Sequence, residues 1–400
     1  MNYPPLILRK NSEHAVRNGH PWIFSGAVAK KPDAQAGDIV DVLDAKEHFV
    51  CRGFYNPRAM IRVRALTRDP NEVVDEHFVA SRLERAIALR QRAGIYAQTN
   101  ALRLVHGESD GLPGLIVDEY NDFLVVQIHT FGMESIKQVV LDVLERRLTP
   151  RGIYERSDVG TRRAEGLQDR PTGVLRGETP PEFVEINEGD VRLFVDLYRG
   201  QKTGFFIDQR PNRQQVRQLA QDADILNLFA YSGAFSSHAL RGGARSVLDV
   251  DISMRAPHAA RQNIEANRLP ESAHNYLVAD VFPFIDHLAT RGPRYDMVVV
   301  DPPSLVRKRD RDQVKRAMGV YTKLNRNAMR VVRDGGLLVT ASCSTPISQE
   351  DFFEVVRRAA ASARMQLRML SYNLHAPDHP VDPNFPDGRY LKCIFAQVWR

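Results

Sequence analysis

Three cysteines in 400 residues, Cys51, Cys343 and Cys393, are too few and too scattered for a disulfide framework or a zinc site built from closely paired ligands. No metal is therefore expected, and a reducing cytoplasm is the natural setting for three free thiols. No run of eighteen apolar residues occurs, and the opening Met1-Asn2-Tyr3-Pro4-Pro5-Leu6 lacks the long apolar region of a signal peptide. The expectation is a protein neither secreted nor membrane-spanning. Internal repeats and low-complexity tracts are missing, and so is the G-x-G-x-x-G fingerprint of a dinucleotide site.

What is present is a globular composition, with 43% hydrophobic and 26% charged residues. At about 100–200 residues per domain, the length calls for two or three domains. Lys and Arg number 55 against 49 Asp and Glu, a balance that leans toward a polyanionic partner but is also compatible with plain solvation. Eleven basic and seven acidic residues fall within positions 1–70, so that stretch carries most of the excess positive charge.

The pattern divides the chain in three. Residues 1–70 read as short strands, Ile39–Leu43, Phe49–Cys51 and Met60–Arg64 among them, punctuated by Gly37-Asp38, Arg52-Gly53 and Asn56-Pro57; that spacing predicts a small β-barrel. Residues 71–187 read as a mixed α/β module with a helix over 75–92, strands over 115–120 and 123–129, a helix over 134–147, and loop over 160–182. Residues 188–400 alternate short strands (225–230, 246–250, 276–279, 297–300, 337–341) with helices, and end in two segments, 365–371 and 390–398, that suit an antiparallel pair at a sheet edge. Such alternation predicts a doubly wound, mainly parallel sheet.

In open α/β sheets ligands bind beyond the carboxyl ends of the strands. The first of these strands runs into Asn227-Leu228-Phe229-Ala230-Tyr231-Ser232-Gly233, a turn with one glycine. Asp251 ends the second strand, placed to accept both ribose hydroxyls of an adenosine. Asp280 follows the third, placed to meet an adenine amino group, and Asp301-Pro302-Pro303-Ser304 follows the fourth. Singly, such a glycine is a turn and such an aspartate a helix cap. As an ordered set they describe an adenosine site without a pyrophosphate cradle, which favours S-adenosylmethionine over NAD.

This series resembles the motifs of class I methyltransferases. The segment Gly200-Gln201-Lys202-Thr203-Gly204-Phe205-Phe206-Ile207-Asp208-Gln209-Arg210 resembles the opening of the catalytic domain in the PUA-containing ribosomal RNA cytosine methyltransferase family. Gly19-His20-Pro21-Trp22-Ile23-Phe24 is similar to that family's PUA domain, an RNA-binding β-barrel. Asp110-Gly111-Leu112-Pro113-Gly114 and Ile153-Tyr154-Glu155-Arg156-Ser157-Asp158 resemble its middle domain. The resemblance implies a Rossmann-like class I methyltransferase domain behind a PUA barrel and a central α/β domain. It implies S-adenosylmethionine held by Lys202, Thr203, Gln209, Arg210, Asn227, Phe229, Tyr231, Gly233, Asp251, Ser253, Asp280, Val281 and Asp301. It also implies 23S ribosomal RNA, or a large-subunit assembly intermediate, as partner, and it allows a homodimer.

Asp301-Pro302-Pro303 alone resembles the motif with which amino methyltransferases hold an exocyclic nitrogen, but Ser304 stands where the stacking aromatic belongs. A carbon acceptor is then the better candidate. Carbon 5 of cytosine is a poor nucleophile until a thiolate adds to carbon 6. Thr340-Ala341-Ser342-Cys343-Ser344, at the end of the fifth strand, resembles the T/S-C-S motif of cytosine-carbon-5 RNA methyltransferases, with Cys343 as nucleophile and Asp301 on the cytosine edge. Cys51 and Cys393 read as core. Arg307, Lys308 and Arg309 are equally a solvated helix start or a phosphate grip, and Trp22 is a core anchor or a base-stacking residue. Two alternatives stay open: a base-nitrogen (guanine) methyltransferase in which Cys343 is structural, and a ribosome-assembly factor that binds RNA without turnover.

Overall fold

The computed structural model describes residues 3–400. They form two compact units, the first comprising the chain up to Ile186 with Val195–Ile207 and Pro377–Gly388, the second Asn187–Phe194, Asp208–Ala376 and Arg389–Arg400.

The first unit opens on a six-stranded sheet of Pro5–Leu8, Trp22–Phe24, Val28–Lys30, Ile39–Leu43, Phe49–Tyr55 and Ile61–Thr67. Alternate residues (Leu6, Leu8, Val40, Val42, Val63) turn inward to a common core. The helix Glu76–Arg92 starts where expected because the Asp75 carboxylate accepts the Phe78 amide (3.0 Å). A five-stranded sheet follows, built from Ala101–His106, Leu115–Tyr120, Phe123–Ile128, Gly152–Arg156 and Thr172–Gly177. The helix expected over 134–147 is two, Phe131–Ser135 and Lys137–Leu148, interrupted at Ile136.

One expectation is overturned. The stretch 160–182 is not all loop, since it contains the helix Thr161–Glu165 and the edge strand Thr172–Gly177. That strand has no buried face to announce it; it exists because Gly152–Arg156 pairs with it antiparallel.

Within this unit Arg64 of the first sheet donates to Glu108 (2.6 Å), in the turn after Ala101–His106, and to Glu165 (2.8 Å), at the end of the helix Thr161–Glu165. The buried Arg156 donates to the carbonyls of Leu197 (2.6 Å) and Gly200 (3.0 Å) and so fixes the 195–207 segment. Residues 377–388 are fastened the same way: Arg90 donates to the Asp378 carbonyl (2.8 Å), and the Asp378 carboxylate accepts the Arg103 amide (2.9 Å).

The second unit is a seven-stranded sheet of Asp224–Leu228, Ser246–Asp251, His274–Val278, Tyr295–Val300, Val332–Ser342, Gln366–Asn373 and Lys392–Trp399. In space the order is third, second, first, fourth, fifth, seventh, sixth. The first five strands run parallel and the seventh is antiparallel to both its neighbours. Its central strands are largely apolar because both faces are covered, with Asn227 and Asp249 as buried polar exceptions. Leu226, Leu228, Val298 and Val300 enter one core with the helices Arg311–Val331 and Gln349–Ala363, while Ile225, Met297 and Val299 enter another beneath Ala234–Arg241.

A buried ion pair ties the start of this unit to its helices. Glu188 accepts from Arg213 Nε (2.8 Å) and from His238 Nε2 (3.0 Å). Burial opposes ionisation of Glu188, but the Arg213 charge and the His238 hydrogen bond outweigh it and hold the carboxyl down at about 2. Stability from this group is thus complete above the ordinary carboxylate range near pH 4.5 and is lost as pH falls toward 2. Glu188→Gln is expected to cost about 3 kcal/mol at pH 7, with a smaller difference from wild type at pH 3, as read by urea unfolding at the two pH values.

Candidate active site

The turn after the first strand is bent by three residues in left-handed conformation, Phe229 (φ 62°), Tyr231 (φ 50°) and Gly233 (φ 68°). Phe229 and Ala230 donate to the Val250 carbonyl (2.8 and 3.2 Å), which folds the turn over the second strand. At Gly233 a Cβ would lie 2.9 Å from an Asp249 carboxylate oxygen and 3.0 Å from Ala260 Cβ, so the position needs glycine both for its φ and for the close approach. The glycine thus lets the turn pack down on Asp249 and Ala260, and the turn itself lies over the strand ends, where ligands of open α/β sheets bind.

Asp251 is the fixed point of this edge. Its two oxygens accept from the Tyr231 and Ser253 amides, each at 2.9 Å, so the carboxylate is oriented while retaining acceptor capacity for a diol. Tyr276 donates to the Tyr231 carbonyl (2.9 Å) and braces the turn from the third strand. Asn227 lies beneath the turn, donating to Ser236 (3.0 Å) and Asp249 (2.8 Å), and His274 Nε2 lies 2.8 Å from the other Asp249 oxygen. Asp280 is exposed and caps the helix Val281–Arg291 through the Phe282 amide (3.0 Å), while the Val281 side chain is core. Phe229 packs edge-on against Phe282, 5.6 Å between ring centroids.

The upstream segment falls in both units. Lys202 and Thr203 belong to the first, where the buried Thr203 hydroxyl bonds Asp118 (2.5 Å) and Tyr120 (2.7 Å) and the Lys202 ammonium sits 4.7 Å above the Phe206 ring. Gln209 and Arg210 belong to the second and are buried at the start of the helix Arg210–Leu219; Gln209 accepts from Asn212 (2.5 Å).

Beyond the fourth and fifth strands two motifs meet. Asp301, half-buried, ends the fourth strand, and Cys343 Sγ lies 4.0 Å from the Pro302 carbonyl oxygen. Hydroxyls stitch the two loops together: Ser344 Oγ lies 3.2 Å from Ser304 Oγ, accepts the Leu305 amide (3.2 Å) and pairs with the Tyr321 hydroxyl (3.1 Å), which in turn accepts from Ser342 (3.1 Å). Burial pushes the Tyr321 hydroxyl up to about 12, so it stays protonated and able to donate. Ser304 therefore belongs to the seam between the motifs. Cys343 is half-buried, whereas Cys51 and Cys393 are fully buried, and burial pushes their thiols up, Cys51 to about 12.

Arg307, Lys308 and Arg309 are exposed in the loop that leads to Arg311–Val331, whose start is capped by Asp310 (2.9 Å to the Gln313 amide). Trp22, half-buried in the first unit, donates its indole N–H to Glu108 (2.8 Å) and packs edge-on against Phe385, 4.7 Å between centroids. The sequence reading gave no role to Tyr276, Asp249, Tyr321, Ser344 or the buried Lys392. Of these, Ser344 stood inside the Ser342-Cys343-Ser344 motif, and Lys392 left a signal as a lone charge opening the apolar run Cys393-Ile394-Phe395-Ala396.

Among the described residues no group of three potential ligands is arranged to hold a metal, and no helix is long and apolar enough to cross a membrane. Residues 6–68 match the PUA-like domain family and residues 156–388 the S-adenosylmethionine-dependent methyltransferase family. The chain is 39% identical over 397 residues to the ribosomal RNA large subunit methyltransferase I of Photobacterium profundum, covering 98% of this chain and 99% of the relative. It is 38% identical over 394 residues to the protein of that name in Alteromonas mediterranea, covering 98% of each. Among solved structures it superimposes over the full length of both chains on a methyltransferase from Streptococcus mutans (TM-score 0.84, 21% identity). A methyltransferase complexed with S-adenosylhomocysteine (TM-score 0.86, 22% identity) matches over the same extent. These two likenesses speak for the fold.

The left-handed turn Phe229–Gly233 and the doubly anchored Asp251 carboxylate, which keeps acceptor capacity for a diol, fit the cofactor that this match brings, S-adenosylmethionine. Asp251→Ala is expected to weaken its binding by about 1.5–3 kcal/mol, read by calorimetric titration, with circular dichroism showing a folded chain. Unchanged affinity would remove Asp251 from the site. With a family match over more than half its length and relatives aligned from end to end, the chain belongs to the S-adenosylmethionine-dependent methyltransferases and, within them, to the ribosomal RNA large subunit methyltransferase I family.

Proposed function

We propose that this protein methylates carbon 5 of a cytosine in large-subunit (23S) ribosomal RNA through a transient bond between Cys343 and carbon 6. The observation that carries the reading is the meeting of a half-buried thiol with the Asp301-Pro302-Pro303 loop, Cys343 Sγ lying 4.0 Å from the Pro302 carbonyl. The relatives bear the name of large-subunit ribosomal RNA methyltransferases, which supports the substrate class.

In this reading the Cys343 thiolate adds to carbon 6 and the electron pair of the 5,6 double bond becomes available at carbon 5, while Asp301 hydrogen-bonds the cytosine edge and shares a proton with N3. S-adenosylmethionine supplies an electrophilic methyl group to carbon 5. Loss of the carbon-5 proton then restores the double bond and expels the Cys343 thiolate. Asp251, Gly233, Tyr231 and Phe229 hold the adenosine end of the cofactor, with Asp280 and Ser253 beside it. Ser304, joined to Ser344, provides no ring for stacking a base amino group, which weighs against nitrogen methylation. The exposed Arg307, Lys308 and Arg309 contact phosphates, and the N-terminal sheet with Trp22 adds RNA affinity. The reading accommodates a homodimer in a reducing cytoplasm.

With fluorine in place of hydrogen at carbon 5 no proton can leave, so wild-type protein with 5-fluorocytosine RNA and cofactor is expected to accumulate a stable covalent complex, seen as a shifted band in denaturing gels. Cys343→Ala should form none, should still bind the cofactor, and should lose at least about a thousandfold in methylation rate. Substantial turnover by Cys343→Ala would defeat the carbon-5 mechanism, and methylguanosine as the product would replace it with the nitrogen reading.

A further inference from the structure

Lys392 is 1% exposed at the start of the seventh strand, where packing alone would be satisfied by an apolar side chain. Burying an ammonium costs several kcal/mol unless it is well partnered. Strand register sets Lys392 opposite Ser342, the residue before Cys343. Its Nζ donates to the Ser344 carbonyl (2.8 Å) and the Ile347 carbonyl (2.7 Å). These carbonyls bracket the turn that leaves Cys343 and enters the helix Gln349–Ala363, so one ammonium closes the turn across its two ends.

The charges around this ammonium come from several elements. Burial lowers the Lys392 proton affinity, the neighbouring Cys343 and Asp351 charges pull it part of the way back up, and the net value is about 8. Asp351, in the first turn of Gln349–Ala363, is engaged with Ser348 in a reciprocal cap. Asp301 lies close enough to act on both Tyr321 and Cys393, and both of these stay neutral: burial raises the Tyr321 hydroxyl to about 12 and lifts the Cys393 thiol well above its ordinary range. Coupling between two titrating groups is reciprocal, so a Cys343 thiolate that favours protonated Lys392 is itself favoured by it.

We propose that Lys392 is a positioning residue for Cys343: its buried ammonium pins the turn that presents the sulfur and supplies positive charge favouring the thiolate, the form that adds to carbon 6 of a pyrimidine. This rests on the reading of Cys343 as nucleophile. Gln at 392 keeps two N–H donors for the two carbonyls but no charge, and Arg keeps the charge, so the pair separates pinning from electrostatics.

The test is iodoacetamide alkylation of Cys343 in the full chain without RNA, followed against pH by mass spectrometry of the Cys343 peptide. In wild type the midpoint is expected below the free-thiol value of about 8.5. Lys392→Gln should slow alkylation at pH 7 about tenfold and raise the midpoint by about one unit, while Lys392→Arg stays within about threefold of wild type. In methylation assays kcat should fall for Lys392→Gln with KM for RNA unchanged. A Lys392→Gln protein that alkylates with the wild-type rate and midpoint overturns the proposal. Should the variants fail to bind cofactor as folded proteins, the wild-type profile decides alone, a midpoint at or above about 8.5 overturning it. Methylation surviving in Cys343→Ala defeats the nucleophile reading separately, because the dependence of Cys343 alkylation on Lys392 is measured without turnover.

Discussion

A carboxylate from the end of one strand and a thiol from the end of the next are held in one place by the hydroxyl of Ser344. That oxygen touches Ser304, the Leu305 amide and Tyr321, so the loop after the fourth strand and the loop after the fifth form one hydrogen-bonded piece. Loops at strand ends are otherwise the parts of an α/β fold freest to move. The seam is small and neutral, and its members are buried or half-buried, so each of its bonds is satisfied without a charge within the seam itself.

The sheet beneath does the coarse positioning. Parallel register sets Leu228 beside Val250 on one side and beside Val300 on the other, and Val300 beside Thr340, so the residues that follow emerge along a single edge. Register in turn is fixed by apolar packing on both faces, since a slip by one residue would exchange every side chain between the two cores. The Asp249 cluster of Asn227, Ser236 and His274 adds polar anchoring directly beneath the cofactor turn. The same logic therefore operates at two scales, with a rigid buried layer under a short loop that carries the chemistry.

Much of this was legible in the chain. The runs at 225–230, 246–250 and 297–300 stand out because strands buried on both faces are largely apolar, and Asp251 and Asp301, which follow the second and third of these runs, mark their carboxyl ends. The fifth strand begins at Val332, earlier than Leu337; Arg333-Asp334-Gly335-Gly336 carries no apolar pattern to announce that start, which the pairing of Val332 with Tyr295 makes. Thr172–Gly177 was hidden for the same reason, as its partner strand makes it and its own side chains do not. Lys392 was the hardest to read, because a charge in a sequence is ordinarily taken as exposed and its two carbonyl partners come from a turn some fifty positions upstream.

Residues 377–388 have a consequence for how the protein is made. They follow almost the whole second unit in the chain, yet belong to the first, where Asp378 receives the Arg103 amide and its carbonyl receives Arg90. During synthesis the N-terminal unit thus leaves the ribosome with Arg90 lacking one of its acceptors, and it can complete its interior only after residue 388 has emerged. Both units therefore wait on the C-terminal residues, the first on Pro377–Gly388 and the second on Arg389–Arg400, whereas successive domains generally fold one after the other as they are translated. The final stage of folding is a late, long-range closure that depends on the last few dozen residues.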